Sequence, residues 1–161
     1  MLETEITINR FLVGYCRMLV DDVADERLAE QPLVGVNHPA WTLGHLAVTA
    51  EKGATLLGGK PELPEDWWPL FGPGSKPTSE RSEYPSKAEL VQAAESAFER
   101  FRNAAAEATT EQLSAPSSHP RTKRMLPLVK DLAAFLLTGH FGIHLGQLTM
   151  WRRMIGLPPL F

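Results

Sequence analysis

The chain has 161 residues, of which 43% are hydrophobic and 22% charged, the balance of an ordinary globular domain and not of a disordered or fibrous chain. Its formal charge of -3 offers no basic footprint, so neither nucleic acid nor an anionic membrane is an expected partner. Cys16 is the only cysteine, which excludes an internal disulfide framework and a cysteine-rich zinc site and fits a reducing compartment. The segment MLETEITINRF is acidic and shows no secretory signal, and the longest apolar run, LAAFLL at 132–137, is too short for a membrane span. The expectation is one cytoplasmic domain over residues 1–161.

Helical periodicity dominates in chain order. Ile8, Phe11, Leu12, Tyr15, Met18 and Leu19 recur at three- and four-residue spacing, predicting a first helix over roughly 5–22 with these residues on its inner face. DERLAEQP at 25–32 can form a helical turn that Pro32 closes. Asn37 is the expected N-cap of a second helix over about 38–58, with Pro39 in its first turn and Gly58 and Gly59 beyond its end.

Residues 59–85 hold six prolines and no sustained period, so they read as a long connection. Trp67, Trp68, Phe71 and Tyr84 argue that it is ordered; the two tryptophans could cap a site, cover a dimer surface or simply pack on the helices. Ser86 and Glu89 make a capping box for a third helix reaching about 107, with Leu90, Ala94, Ala97, Phe98 and Phe101 inward. After a second irregular stretch, Pro127 opens a fourth helix that runs unbroken to about 155, ended by Gly156 and Pro158.

No strand-like alternation competes. The expected fold is all-α, a four-helix bundle. The connection between the second and third helices is long enough to cross the bundle, so an up-down-down-up order is open to it.

The fourth helix carries the chemistry. At about 100° per residue, Ala133, Leu136, Leu137, His140, His144, Gln147 and Trp151 share one stripe. Two histidines one turn apart aim at one point, as a helix does when it supplies two ligands to a metal. The plainer alternative is a pair of packed core histidines. Two buried imidazoles without partners would each cost about 1–3 kcal/mol, and a metal would remove both penalties. The pair reads HFGIH, without the glutamate of a zinc-protease helix, and no ExxH occurs in the chain, so a mononuclear, nitrogen-rich site is what remains.

A third ligand must come from elsewhere. His119 lies in a loop and reads as a solvated turn residue. His38, beside Pro39, is expected to be exposed at a helix end. His45 lies inside the second helix on the side of Trp41, Val48, Thr49 and Leu56, with Gly44 beside it to admit a close neighbour; it is the best third ligand. Gln147 either orients a ligand or makes a packing hydrogen bond. Arg152 and Arg153 could hold a substrate carboxylate, but the preferred reading is a solvated basic pair complementing the helix dipole. Glu51 lies about 240° around the helix from His45 and is not expected to act as a base.

NHPAWTLGHLAVTAE, followed downstream by HFGIHLGQLTMWRRMIGLP, resembles the DinB-like (DinB/YfiT-like) superfamily of metalloenzymes. Asn37, Trp41, Gly44, His45 and Leu46 stand at matching places on the second helix. On the last, His140, His144, Gly146, Gln147, Leu148, Arg152, Arg153, Gly156 and Pro158 do so. The resemblance implies the up-down-down-up bundle and a three-histidine metal site made by His45, His140 and His144. The metal it implies is divalent, with zinc or nickel ahead of iron. It further implies chemistry on a small molecule, with a low-molecular-weight thiol as possible cofactor in a transferase or isomerase, hydrolysis being equally open, and a homodimer. Non-catalytic binding, related to stress, and a structural dimer with packed histidines are the alternatives. Phe141 departs from the pattern, where many relatives carry an acidic or polar residue; this bears on the surroundings of the site or on an interface, not on ligation.

Overall fold

The computed structural model describes residues 1–160. Among them the chain is all-helical, with no strand beyond one isolated bridge between Pro116 and Leu128. No helix among these residues is long and apolar enough to cross a membrane.

Helix α1 spans Glu3–Asp21, with Glu3 and Glu5 in its first turn complementing the dipole. Its inner face differs from the one the apolar spacing predicts. Leu2, Ile6, Asn9, Cys16, Leu19 and Val20 are buried, whereas Ile8, Phe11 and Met18 are exposed. The buried path also repeats at three and four residues, but a polar residue, Asn9, interrupts it, so hydrophobicity alone favours the wrong stripe.

Helix α2 spans Pro39–Leu56 and is buried on nearly all sides, as expected of a helix at the centre of the core. Its N-cap is His38, not Asn37: His38 Nδ1 accepts from the Trp41 N–H at 3.3 Å, and Pro39 takes the first helical position. His38 is wholly buried and donates from Nε2 to the Thr78 carbonyl at 2.8 Å, which corrects the expectation of an exposed ring. The preceding turn is a short 3-10 helix, Asp25–Arg27.

The long connection is ordered. Glu51, reaching out of α2, accepts from the Glu62 and Leu63 N–H groups at 2.6 and 2.7 Å. A short helix α3, Trp67–Phe71, then docks on α2. Trp67 is buried edge-on to Phe71 at 5.0 Å, while Trp68 stays half exposed under the Lys52 ammonium. Arg81 donates to the Asp25 carboxylate and carbonyl, and the Tyr84 hydroxyl accepts from the Thr78 N–H.

Helix α4, Lys87–Glu107, opens with the Ser86–Glu89 capping box and buries Leu90, Ala94, Ala97, Phe98 and Phe101. Its contact with α2 is the most extensive in the molecule. Gly53 permits that approach, because a Cβ there would stand 2.4 Å from the Phe101 ring. A short helix α5, Thr110–Ser114, follows with its own capping box.

The last helical stretch is broken, contrary to the continuous helix expected from the sequence. Helix α6 spans Val129–Leu137 and α7 spans Gly139–Met154. Between them Thr138 has φ -125° and ψ -73°, away from the helical pair near -63° and -42°. At the break Asn9 of α1 donates from Nδ2 to the Leu137 carbonyl at 2.7 Å in a fully buried contact, and the Thr138 hydroxyl donates to the Ala134 carbonyl at 2.7 Å.

Candidate metal centre

Helix α2 supplies His45 and α7 supplies His140 and His144, so the site forms where these two helices face each other. His45 and His144 are each 6% exposed, and His140 is half-buried. Their inward-facing nitrogens converge. His140 Nε2 lies 3.3 Å from His45 Nε2 and 3.3 Å from His144 Nε2, and one ring nitrogen from each residue falls within 4.8 Å of the others.

The outer nitrogens decide which tautomers face inward. His45 Nδ1 lies 2.7 Å from the Phe71 carbonyl oxygen, which can only accept, so His45 carries its proton on Nδ1 and turns a lone pair inward. His144 Nδ1 lies 3.0 Å from Gln147 Oε1, and that oxygen also accepts from Asn37 Nδ2 at 3.0 Å. The shared acceptor assigns the Nδ1–H form to His144 as well. His140 Nδ1 is buried and has no partner. Two lone pairs therefore point at a third imidazole whose outer nitrogen is unsatisfied, an arrangement costing about 1–3 kcal/mol per unpaired group in the absence of a cation.

These residues fit a metal. Nitrogens bound to zinc at about 2.0–2.1 Å in tetrahedral directions stand about 3.3–3.4 Å apart, and two of the three pairs here stand at 3.3 Å. Hydrogen bonds from the outer nitrogens to a carbonyl and an amide are the supports that orient metal-binding histidines.

Packing holds the ligand-bearing rings in place. Trp41 stacks on His45 with centroids 4.6 Å apart and planes at 12°, and its Nε1 donates to Ser75 Oγ. Phe135 meets His140 edge-on at 5.9 Å. Gly44 admits the Phe71 ring, because a Cβ there would overlap it; the close neighbour is the short helix α3 of the crossover.

Burial disfavours a charged ring at all three positions. It lowers the His45 pKa, with the Phe71 carbonyl acting in the opposite sense. Burial, then the neighbouring His45, takes His140 down to about 4. Burial, then His45 and His140, takes His144 down to about 3. The rings are neutral at neutral pH, the form in which an imidazole can bind a metal.

This sets the sign of a pH effect. Unfolded, the histidines bind protons near their ordinary value of about 6.5; folded, they refuse them. Stability is complete above that pH and is lost as pH falls from about 6.5 toward 4. The metal-free protein should unfold at lower urea concentration at pH 5 than at pH 7.5, and a His140→Ala/His144→Ala variant should lose much of that difference. Equal midpoints for the parent protein at the two pH values would contradict the burial argument.

The remaining candidates lie elsewhere. His38 is spent on the α2 cap and Thr78, and His119 sits in its turn with Nδ1 2.8 Å from Thr122 Oγ1. Arg152 is not a solvated dipole partner: it is 1% exposed and holds Asp22 with both terminal nitrogens, one at 2.9 Å, and also the Leu19 and Pro158 carbonyls. Arg153 is exposed, as expected. Phe141 is buried against Phe98 at 4.7 Å, so its departure from the family pattern serves the core. Sequence reasoning missed the Phe71 carbonyl and the Asn37–Gln147 bond; the only signals were Gly44 and the place of Asn37 in the motif.

A comparison with curated proteins and one with solved structures each give no match. A family model described as the DinB superfamily matches residues 15–148, a span that holds α2 and the two histidines of α7. With most of the chain under that match, and the histidine-bearing helices inside it, the chain belongs to the DinB superfamily.

Proposed function

We propose that the protein is a mononuclear metal-dependent enzyme acting on a small molecule, with His45, His140 and His144 holding a divalent zinc, nickel or iron. The observation that carries this reading is the convergence of three neutral imidazole nitrogens within 4.8 Å of one another, two of the pairs at the 3.3 Å spacing of a coordination polyhedron. Three protein ligands leave a further position free for a substrate atom. A metal held there supplies Lewis acidity and makes a water or thiol more acidic at neutral pH.

The chain's own groups have defined tasks. The Phe71 carbonyl and Gln147 keep the protons of His45 and His144 on their outer nitrogens, and Asn37 steadies Gln147. Trp41 shields the His45 ring from water, and the half-exposed His140 marks the side from which a substrate enters. Transfer or isomerisation of a small molecule with the help of a low-molecular-weight thiol and hydrolysis by a bound water are equally open chemistries for the site; a non-catalytic binding protein is the alternative reading. Arg152 has no part in substrate binding on this account, because Asp22 occupies it.

The bundle is proposed to run up-down-down-up through α1, α2, α4 and α6–α7, in a reducing cytoplasmic compartment. A homodimer is the proposed assembly, supported by apolar side chains left exposed on α1 (Phe11, Met18) and α7 (Ile143, Met150). A cobalt-substituted protein separates the chemistries. Adding a low-molecular-weight thiol should produce a thiolate-to-cobalt charge-transfer band. An unchanged spectrum, with turnover of activated esters, would move the assignment to a hydrolase; neither response would remove the enzyme reading.

A further inference from the structure

His45 and His144 are each oriented by a hydrogen bond from the outer ring nitrogen, but His140 is not: its Nδ1 is buried without a partner. Its ring direction is therefore set by the backbone that carries it, by packing on Phe135 and by its inward contacts with His45 and His144. That backbone is the first turn of α7, immediately after the break at Thr138.

Two side-chain hydrogen bonds act at the break: the part-buried Thr138 hydroxyl donates to the Ala134 carbonyl at 2.7 Å, and a fully buried amide reaches the Leu137 carbonyl from another helix. Asn9, fully buried in α1, donates from Nδ2 to the Leu137 carbonyl at 2.7 Å, and its Oδ1 accepts from Arg102 Nη1 of α4 at 2.8 Å. A buried amide is tolerated in a helix face when both ends are satisfied, and it then fixes one arrangement of the elements it joins. Here it joins three: α1, α4 and the junction of α6 with α7. At the junction Thr138 N–H donates to the Ala134 carbonyl and Gly142 N–H to the Thr138 carbonyl.

We propose that Asn9 is a positioning residue for the histidine site: by holding the Leu137 carbonyl it fixes the break that aims His140 at His45 and His144. This rests on the metal reading given above for its consequence, but its geometric content does not. The effect is greatest on His140, in the first turn of α7 beside the break, and smaller on His144, one turn further along the same helix.

The test uses the full chain with Asn9→Asp, which keeps the acceptor for Arg102 and removes the donor to Leu137, and Asn9→Leu, which removes both without adding a charge. Zinc affinity is read by chelator competition on the folded fraction. A fall of about 10–100-fold is expected, the range for losing a support behind a metal ligand. Glu51→Gln, which loosens the crossover anchor without touching the break, should lower stability and leave affinity near that of the parent. In the metal-free protein, nuclear Overhauser contacts are read between the rings of His45 and His140, whose centroids lie 5.3 Å apart. These should weaken in the Asn9 variants by more than those between His45 and His144. Parent-like affinity together with unchanged His45–His140 contacts in a folded Asn9 variant would overturn the proposal. If the parent protein itself takes up no zinc, the metal reading fails and the ring contacts alone decide the role of Asn9.

Discussion

Zinc at a thousandfold excess over its dissociation constant should stabilise the folded protein by about 4 kcal/mol, a rise in melting temperature of about 10 °C for a chain of this size. His45→Ala, His140→Ala and His144→Ala should each abolish most of that rise. The reasoning is linkage: a metal that binds only where three nitrogens converge stabilises the state in which they converge. Unfolding separates His45 from the other two by about 95 residues of chain, so the unfolded chain has no comparable site. Removing any one ring leaves two ligands and restores weak binding. The metal-free variants need not be much weaker than the parent, because the metal-free triad already carries an unpaired nitrogen at His140. Calorimetry with and without zinc, and then with a chelator, reads the effect; an equal rise in the parent and all three variants would place the metal elsewhere.

The second large effect lies away from the site. Asp22→Ala should destabilise the protein by about 3 kcal/mol, at the low end for breaking a buried ion pair, because the Asp22 side chain is itself 51% exposed. Its partner, Arg152, has a side chain only 1% exposed and would keep its charge without a carboxylate. The Leu19 and Pro158 carbonyls would remain as acceptors, which limits the loss. Removing the charge along with its partner, in Asp22→Ala/Arg152→Met, should recover part of the stability, since an apolar replacement of similar volume needs no counter-ion. Urea denaturation of the metal-free forms measures both. A double variant no more stable than Asp22→Ala would show that packing around the guanidinium, and not its charge, carries the cost.

What the sequence makes legible follows from where each cause lies. The capping box at Ser86, the α4 face and the alignment of His140 with His144 depend on neighbours three or four residues away, and local spacing reports such causes well. His45 is legible because Gly44 and Trp41 mark its side of α2, and because the motif places all three histidines together. The inner face of α1 is hidden by Asn9, a polar residue whose partners are Leu137 and Arg102 on other helices. The break in the last helix has only a weak local sign, the Thr138–Gly139 pair, because the buried Asn9 contact with the Leu137 carbonyl comes from α1. Arg152 looks solvated at a helix end because Asp22 is 130 positions away. The Phe71 carbonyl is a backbone atom, and no residue type encodes its role toward His45.

Metal content bears on the central claim most directly. Untagged protein, purified without chelator and analysed by inductively coupled plasma mass spectrometry beside His144→Ala, should carry close to one divalent metal per chain, and the variant close to none. Metal absent from both, with no uptake when the parent is incubated with zinc or nickel, would contradict the account and leave His45, His140 and His144 as packed core residues.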